Sequence, residues 1–349
     1  MNILMIGPDR EKLKGGMSSV INSYFNSELI KKLNIIPIGT VVDGSRIIKL
    51  KVFVISYIKT LYILLFKNID IVHVHVASRT SFKRKSFYIN LVKKFNKKIV
   101  IHMHGGQFDK FYWDESNDKQ RRKITKVLDK ADIIIALGEK WRERIVKYCS
   151  TEVITIPNSL NSQKSNLYNE NSNNILFLGR LEEAKGIYDL IDTVDRLNKL
   201  ENVKFILAGD GDKDRLESLL IKRNLQDKII MTGWLDKNEV EDRLKDTMIF
   251  LLPSYDEGMP MSILEAMSFG IPIISTKVGS IPEVISDNNG ILIEPGNIDE
   301  LANAIRYLVE NKDKRIKMST NNYKKIKENF DIEVNNSKLI SLYEGLMKD

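Results

Sequence analysis

Short apolar runs alternate with amphipathic helical stretches along nearly the whole chain, and this alternation limits the fold more than any other feature. Apolar runs this short fit strands buried on both faces. Strand and helix in repetition give a parallel sheet covered by helices, because parallel neighbours need a crossover long enough to hold a helix. In the first half, strands are expected at 2–6, 35–38, 71–75, 98–102, 133–136 and 153–156. In the second half they are expected at 175–178, 204–208, 228–232, 248–252, 272–275 and 290–293.

Between the two sets, residues 158–174 are rich in Asn and Ser and have no periodicity, so they read as an interdomain linker. A length of 349 residues suits two domains of roughly 150 each. The expected division is 1–163 and 164–331, with a final helix at 332–349 crossing back onto the first domain. Each domain is α/β, doubly wound and Rossmann-like. Ligands of such sheets bind beyond the carboxyl ends of the strands, here in the cleft that the two domains face.

The net charge of +8 hides an asymmetry. Residues 1–160 hold 29 Lys and Arg against 14 Asp and Glu, a balance of +15. Residues 161–349 hold 25 against 32, a balance of −7. The basic half should face something anionic: a membrane surface, a phosphate-bearing acceptor or nucleic acid. The alternative is a solvated lysine-rich surface. The single cysteine, Cys149, reads as structural, in a reducing compartment. The chain enters a strand at once, so no leader peptide is expected. Residues 52–66 are apolar apart from a few polar positions and Lys59. They are too short to span a bilayer, which takes about 20 residues, and read as a helix buried between layers. Partial insertion at an interface is the lesser alternative.

The segment from Glu257 to Glu265 is the most informative in chemistry. Two carboxylates have seven residues between them, with Gly258, Met259, Pro260 and Met261 leading into an apolar helix. A helix start offers free N–H groups and a positive dipole end to a diphosphate. Pro260 suits the first helical position, and the two glutamates can each accept hydrogen bonds from sugar hydroxyls. Arg180 and Lys185, in a loop after the strand at 175–178, put two cations where a diphosphate needs no metal. Gly209, Asp210 and Gly211 end the next strand and can shape a loop beneath a nucleotide, with Asp212 as a helix cap. Trp234 is either a shelf for a base or a core residue. Gly15 and Gly16 open a helix after the first strand and let a ligand approach the backbone, or form a plain tight turn. His73, His75, His102 and His104 form two H-x-H pairs at strand ends. A polar cleft wall is preferred over structural histidines, and both over a metal site, because no cysteine cluster accompanies them.

These motifs, with Gly270-Ile271-Pro272 and Val278-Gly279-Ser280-Ile281-Pro282-Glu283, resemble the retaining glycosyltransferases of family 4, which have the GT-B fold. The likeness is continuous from about Gly179 to Ile293 and looser in the first domain. Members often have a Ser where this chain has Gly138, so that turn receives no role. The resemblance implies that Arg180, Lys185 and the N–H groups of residues 259–261 bind the donor diphosphate. It implies that Glu265 takes the ribose hydroxyls, that Glu257 and His104 contact the transferred sugar, and that Gly16 lets the first domain close on the phosphates. The activity implied is sugar transfer from a nucleotide sugar to a glycan or polyprenyl-diphosphate-linked acceptor, in capsule, exopolysaccharide or O-antigen synthesis. No metal or other cofactor is implied. The enzyme would be cytoplasmic, peripheral on the inner membrane face, with basic residues of the first domain against anionic lipid. An epimerase or phosphorylase on the same fold is the alternative. A nicotinamide-dependent oxidoreductase is disfavoured by the missing G-x-G-x-x-G, and nucleic acid by the lack of a binding module.

Overall fold

The computed structural model of the protein describes residues 1–13, 15–28, 32–197, 200 and 202–348. The described residues divide into two compact units, Met1–Asn161 with Phe330–Asp349, and Ser162–Asn329. The chain passes between the units twice, and the helix Ile332–Leu346 belongs to the first.

The first unit holds β1 (Asn2–Gly7), β2 (Asn34–Gly39), β3 (Ile71–Val76), β4 (Lys98–Met103), β5 (Ile133–Ala136) and β6 (Val153–Thr155). They form one parallel sheet in the order β2-β1-β3-β4-β5-β6. The second unit holds β7 (Asn174–Leu178), β8 (Lys204–Ala208), β9 (Ile229–Gly233), β10 (Ile249–Leu252), β11 (Ile273–Thr276) and β12 (Gly290–Ile293). Their order is β12-β11-β10-β7-β8-β9, again all parallel. Every expected strand is present, with ends shifted by a residue or so. Central strands such as β3 and β10 are buried along their whole length, because helices cover both faces.

Each sheet reverses its winding at one point. In the first unit this lies between β1 and β3, and in the second between β7 and β10. Loops leaving the carboxyl ends of strands diverge there and open a crevice. The chain after β1 carries Gly15 and Gly16, the chain after β7 carries Arg180 and Lys185, and the chain after β10 carries Glu257.

One expectation needs correction. The helix expected over 52–66 runs from Arg46 to Phe66 and is not sandwiched between layers. Its inner face packs on β2 and on the helix Arg79–Lys93, and its outer face is exposed. The Asn/Ser-rich segment at 158–174 contains the boundary between the units, at Asn161 and Ser162, and much of it is fastened down. Within the second unit, Tyr168 donates to the Met248 carbonyl at 3.1 Å and Asn166 to Ser319 Oγ at 2.9 Å. Tyr323 donates to the Gln163 carbonyl at 3.1 Å. Aperiodic sequence here signals side-chain-to-backbone stitching.

Candidate functional site

In the second unit, the loops after β7 and β10 are joined at the switch point. Lys185 Nζ donates to Glu257 Oε1 at 2.6 Å, across 72 positions of sequence. Ser254 Oγ donates to the same oxygen at 2.8 Å. Glu257 is only 9% exposed, so its charge needs these partners. The backbone holds the arrangement as well: Tyr255 N–H donates to the Ala184 carbonyl at 3.0 Å. Gly186 has a φ of 70°, and a Cβ there would lie 2.1 Å from the Pro253 carbonyl oxygen. Only glycine permits that approach. From the other side Ser280 N–H donates to the Gly258 carbonyl at 2.9 Å.

The helix beyond this loop begins at Met261 and ends at Ser268, with Pro260 at its N-cap. Pro260 is therefore one place outside the expected first helical position, at a ψ of 124° that is not helical. Among the described residues no N-cap side chain caps the helix, and the first-turn N–H groups are those of Met261, Ser262 and Ile263. Of the expected donors, Met261 is at this start, Met259 is in the preceding turn, and Pro260 has no N–H to give. Glu265 lies further along the helix. The residue keeps partial exposure, yet packing around its carboxyl pushes the pKa up to about 7, with exposed Lys237 opposing the rise. Such a carboxyl lacks strong donors until a ligand supplies them.

Arg180 is 71% exposed and pairs with Glu182 at 3.1 Å rather than with Glu257. Gly209 and Gly211 act on the Arg180 loop itself. The Leu181 N–H donates to the Asp210 carbonyl at 2.8 Å, and a Cβ on Gly209 would lie 1.8 Å from the Gly179 carbonyl oxygen. The glycine pair sets the backbone of the cation loop. Asp212 stands at an N-cap, but its side chain accepts from Tyr188 at 3.0 Å instead of capping. Trp234 is 43% exposed at the end of β9, which rules out the core alternative. A depression of about 560 Å³ lined by Tyr188, Asp189, Arg215 and Tyr255 holds none of the expected site residues.

In the first unit, Gly15 is the N-cap of the helix Gly16–Phe25, which also lacks a side-chain cap. A Cβ on either glycine would meet nothing within 4 Å, so that approach is open. Ser18, two residues on, is buried with its hydroxyl unpartnered among the described residues. The histidines depart from the cleft-wall expectation. His73, His75 and His102 are fully buried, and only His104 keeps partial exposure. His104 Nε2 meets His75 Nδ1 at 2.8 Å. His73 Nε2 meets His102 Nδ1 at 3.3 Å, and Tyr343 of the final helix reaches His73 Nδ1 at 2.5 Å. Burial lowers the pKa of His73 and His104 to about 3 and those of His75 and His102 well below the usual range. All four are neutral at ordinary pH. Donor nitrogens of His73, His75 and His102 lie within 4.8 Å of one another. The His73 and His75 rings stack at 4.5 Å and 19°.

Ser254 and Ser280, which hold the Glu257 loop, received no role from the sequence. The motif around them was visible; the Ser254 bond is local to the loop, whereas the Ser280 bond to Gly258 depends on β10 and β11 being neighbours.

Two six-stranded parallel sheets wound in this way define a GT-B protein. The Anabaena HepE structure in complex with UDP and glucose superposes with a TM-score of 0.75 at 17% identity, over 98% of this chain and 99% of that one. Residues 158–325 match the glycosyl transferases group 1 family model. The chain is 25% identical over 231 residues to the putative teichuronic acid biosynthesis glycosyltransferase TuaC of Bacillus subtilis, covering 62% of this chain and 57% of that one. It is 34% identical over 149 residues to the Escherichia coli UDP-Gal:alpha-D-GlcNAc-diphosphoundecaprenol alpha-1,3-galactosyltransferase, covering 42% and 38% respectively. The chain thus spans little more than half the length of the first relative and under two fifths of the second.

Proposed function

We propose that this chain is a retaining, metal-independent glycosyltransferase that moves a sugar from a nucleoside-diphosphate sugar to a glycan or polyprenyl-diphosphate-linked acceptor. The Lys185–Glu257 pair at 2.6 Å beside an uncapped helix start carries the reading, because it sets a cation and a hydroxyl acceptor side by side. A UDP-bound structural neighbour and a relative named for a diphosphoundecaprenol acceptor support the substrate classes. The setting is the synthesis of a cell-surface polysaccharide, in the cytoplasm at the inner membrane face.

In this reading Arg180, Lys185 and the N–H groups at Met261 and Ser262 neutralise the donor diphosphate as the anomeric C–O bond breaks. Glu265 accepts from the ribose hydroxyls and Glu257 from those of the sugar. His104, held neutral, hydrogen-bonds that sugar without adding charge. The new C–O bond forms on the face that the diphosphate leaves, and the acceptor proton passes to the departing phosphate oxygen. Glu257 therefore needs no nucleophilic role.

A binding and hydrolysis screen across UDP-, GDP-, TDP- and ADP-sugars tests the donor assignment, and indifference to all four sinks it. Product formed without an acceptor, or only with inorganic phosphate, would favour an epimerase or a phosphorylase.

A further inference from the structure

The helix Arg46–Phe66 departs from an ordinary surface helix, which exposes mainly polar residues: its inner side mixes Ser56 and Thr60 with Ile63 and Leu64, and its outer side is largely apolar as well. Its buried positions include Ser56 and Thr60. Ser56 Oγ bonds to Tyr88 at 2.7 Å, and Thr60 Oγ1 donates back to the Ser56 carbonyl at 2.8 Å. Its exposed positions include Ile47, Leu50, Val54, Ile55, Ile58, Tyr62, Leu65 and Phe66, the last 71% exposed. At 1.5 Å per residue this ridge is about 30 Å long. Phe87 of the helix Arg79–Lys93 extends it sideways, 56% exposed and edge-on to Phe53 at 5.7 Å. A contiguous exposed apolar patch on this scale marks a contact surface.

Charge identifies the occupant. Residues 46–98 contain thirteen Lys and Arg and one acid, Asp70. Lys49, Lys51 and Lys59 are exposed on the ridge helix, and Lys83 on its neighbour. Apolar side chains rimmed by lysines match a lipid surface with anionic headgroups. A second copy of the chain fits poorly, because a two-fold contact would press the same lysines together. No helix among the described residues is long and apolar enough to cross a membrane, so the ridge lies along the surface.

We propose that the Arg46–Phe66 helix lies in the plane of an anionic bilayer with Ile55, Ile58, Leu65 and Phe66 in the acyl boundary. This rests on the reading of the chain as a transferase working at the inner membrane face, and it makes insertion, not charge alone, the anchor. The lysines add attraction that salt weakens, while the apolar ridge supplies binding that salt leaves in place.

Flotation with phosphatidylcholine vesicles, with and without phosphatidylglycerol, tests it. The protein should float with the anionic vesicles and stay partly bound at high salt. The Ile55→Ser, Ile58→Ser, Leu65→Ser triple variant should partition about a hundredfold more weakly. These side chains are exposed, so its thermal unfolding and nucleotide binding should match the parent. Ile58→Trp should gain fluorescence that brominated acyl chains quench, while Tyr307→Trp, in the second unit, should not. Undiminished flotation of the triple variant, or an unquenched Ile58→Trp, overturns the proposal. So does a concentration-dependent dimer that the triple variant abolishes without any lipid binding, which would assign the face to a second copy. Flotation involves no donor and no turnover. Its failure would leave the transferase reading standing, and a failed donor screen would leave the lipid result standing.

Discussion

The two units share an architecture but equip the carboxyl ends of their strands in opposite ways. The second unit places formal charges there, with Lys185 on Glu257 at 2.6 Å and Arg180 exposed nearby in sequence. The first unit places four imidazoles there, and burial keeps them neutral. Charge suits a site that must balance a diphosphate, where each cation offsets the desolvation of its partner. Neutral hydrogen-bonding rings suit a rigid wall that holds one partly exposed member, His104, in place. The same fold can therefore carry a charged half-site and an uncharged one, depending on which residues end its strands.

The largest test of this contrast is Glu257→Ala, which should reduce transfer by about a thousandfold or more while nucleotide affinity changes little. Measured turnover near the parent value would end the assignment. Glu257→Gln keeps an acceptor for Ser254 but not the charge. It should recover folding stability more than activity.

Acid should separate the units next. A histidine neutral when folded takes up a proton on unfolding, so the stability it confers is complete above its unfolded pKa near 6.5. That stability is lost as pH falls towards the folded value of about 3 for His73 and His104. The slope is up to about 1.4 kcal/mol per pH unit for each such group. Glu265 has the opposite sign. Its folded pKa of about 7 lies above the unfolded value, so its contribution is present at low pH and lost as pH rises through about 7. Urea unfolding at pH 7.5, 6.0 and 5.0, followed separately at Trp141 and Trp234, should show the first unit weakening first. Parallel shifts would remove the electrostatic distinction. Donor binding should weaken over the same acid range if Glu265 accepts from hydroxyls as a carboxylate.

Two smaller effects sharpen the comparison. Tyr343→Phe leaves His73 Nδ1 buried without its partner and should cost about 1–3 kcal/mol in chemical denaturation. Glu182→Ala removes only an exposed partner of Arg180 and should change stability by less than about 1 kcal/mol. Arg180→Ala, by contrast, should weaken donor binding by about tenfold in calorimetry.

Much of this was legible in the residues. The strands announced themselves because a strand covered on both faces must be apolar throughout, as Ile249, Phe250 and Leu251 are. The Glu257–Glu265 segment stood out because glycine, proline and an apolar run together mark a loop entering a helix. Less was legible of the histidines. Alternation put His73 and His75 on one face, but nothing local said that Tyr343, 270 positions away, would close over them. The helix Arg46–Phe66 misled because apolar sequence says that a surface avoids water, and not what covers it.

By itself the sequence determined the parallel α/β architecture, the strand positions and the residue types at each strand end, because these depend on local periodicity and side-chain chemistry. The tertiary structure alone decided that Lys185 bonds Glu257, that the Ser280 N–H holds that loop, and that the helix Arg46–Phe66 is left with an apolar face outward. Strand order governs these pairings, and it is settled by long-range packing that no stretch of sequence contains.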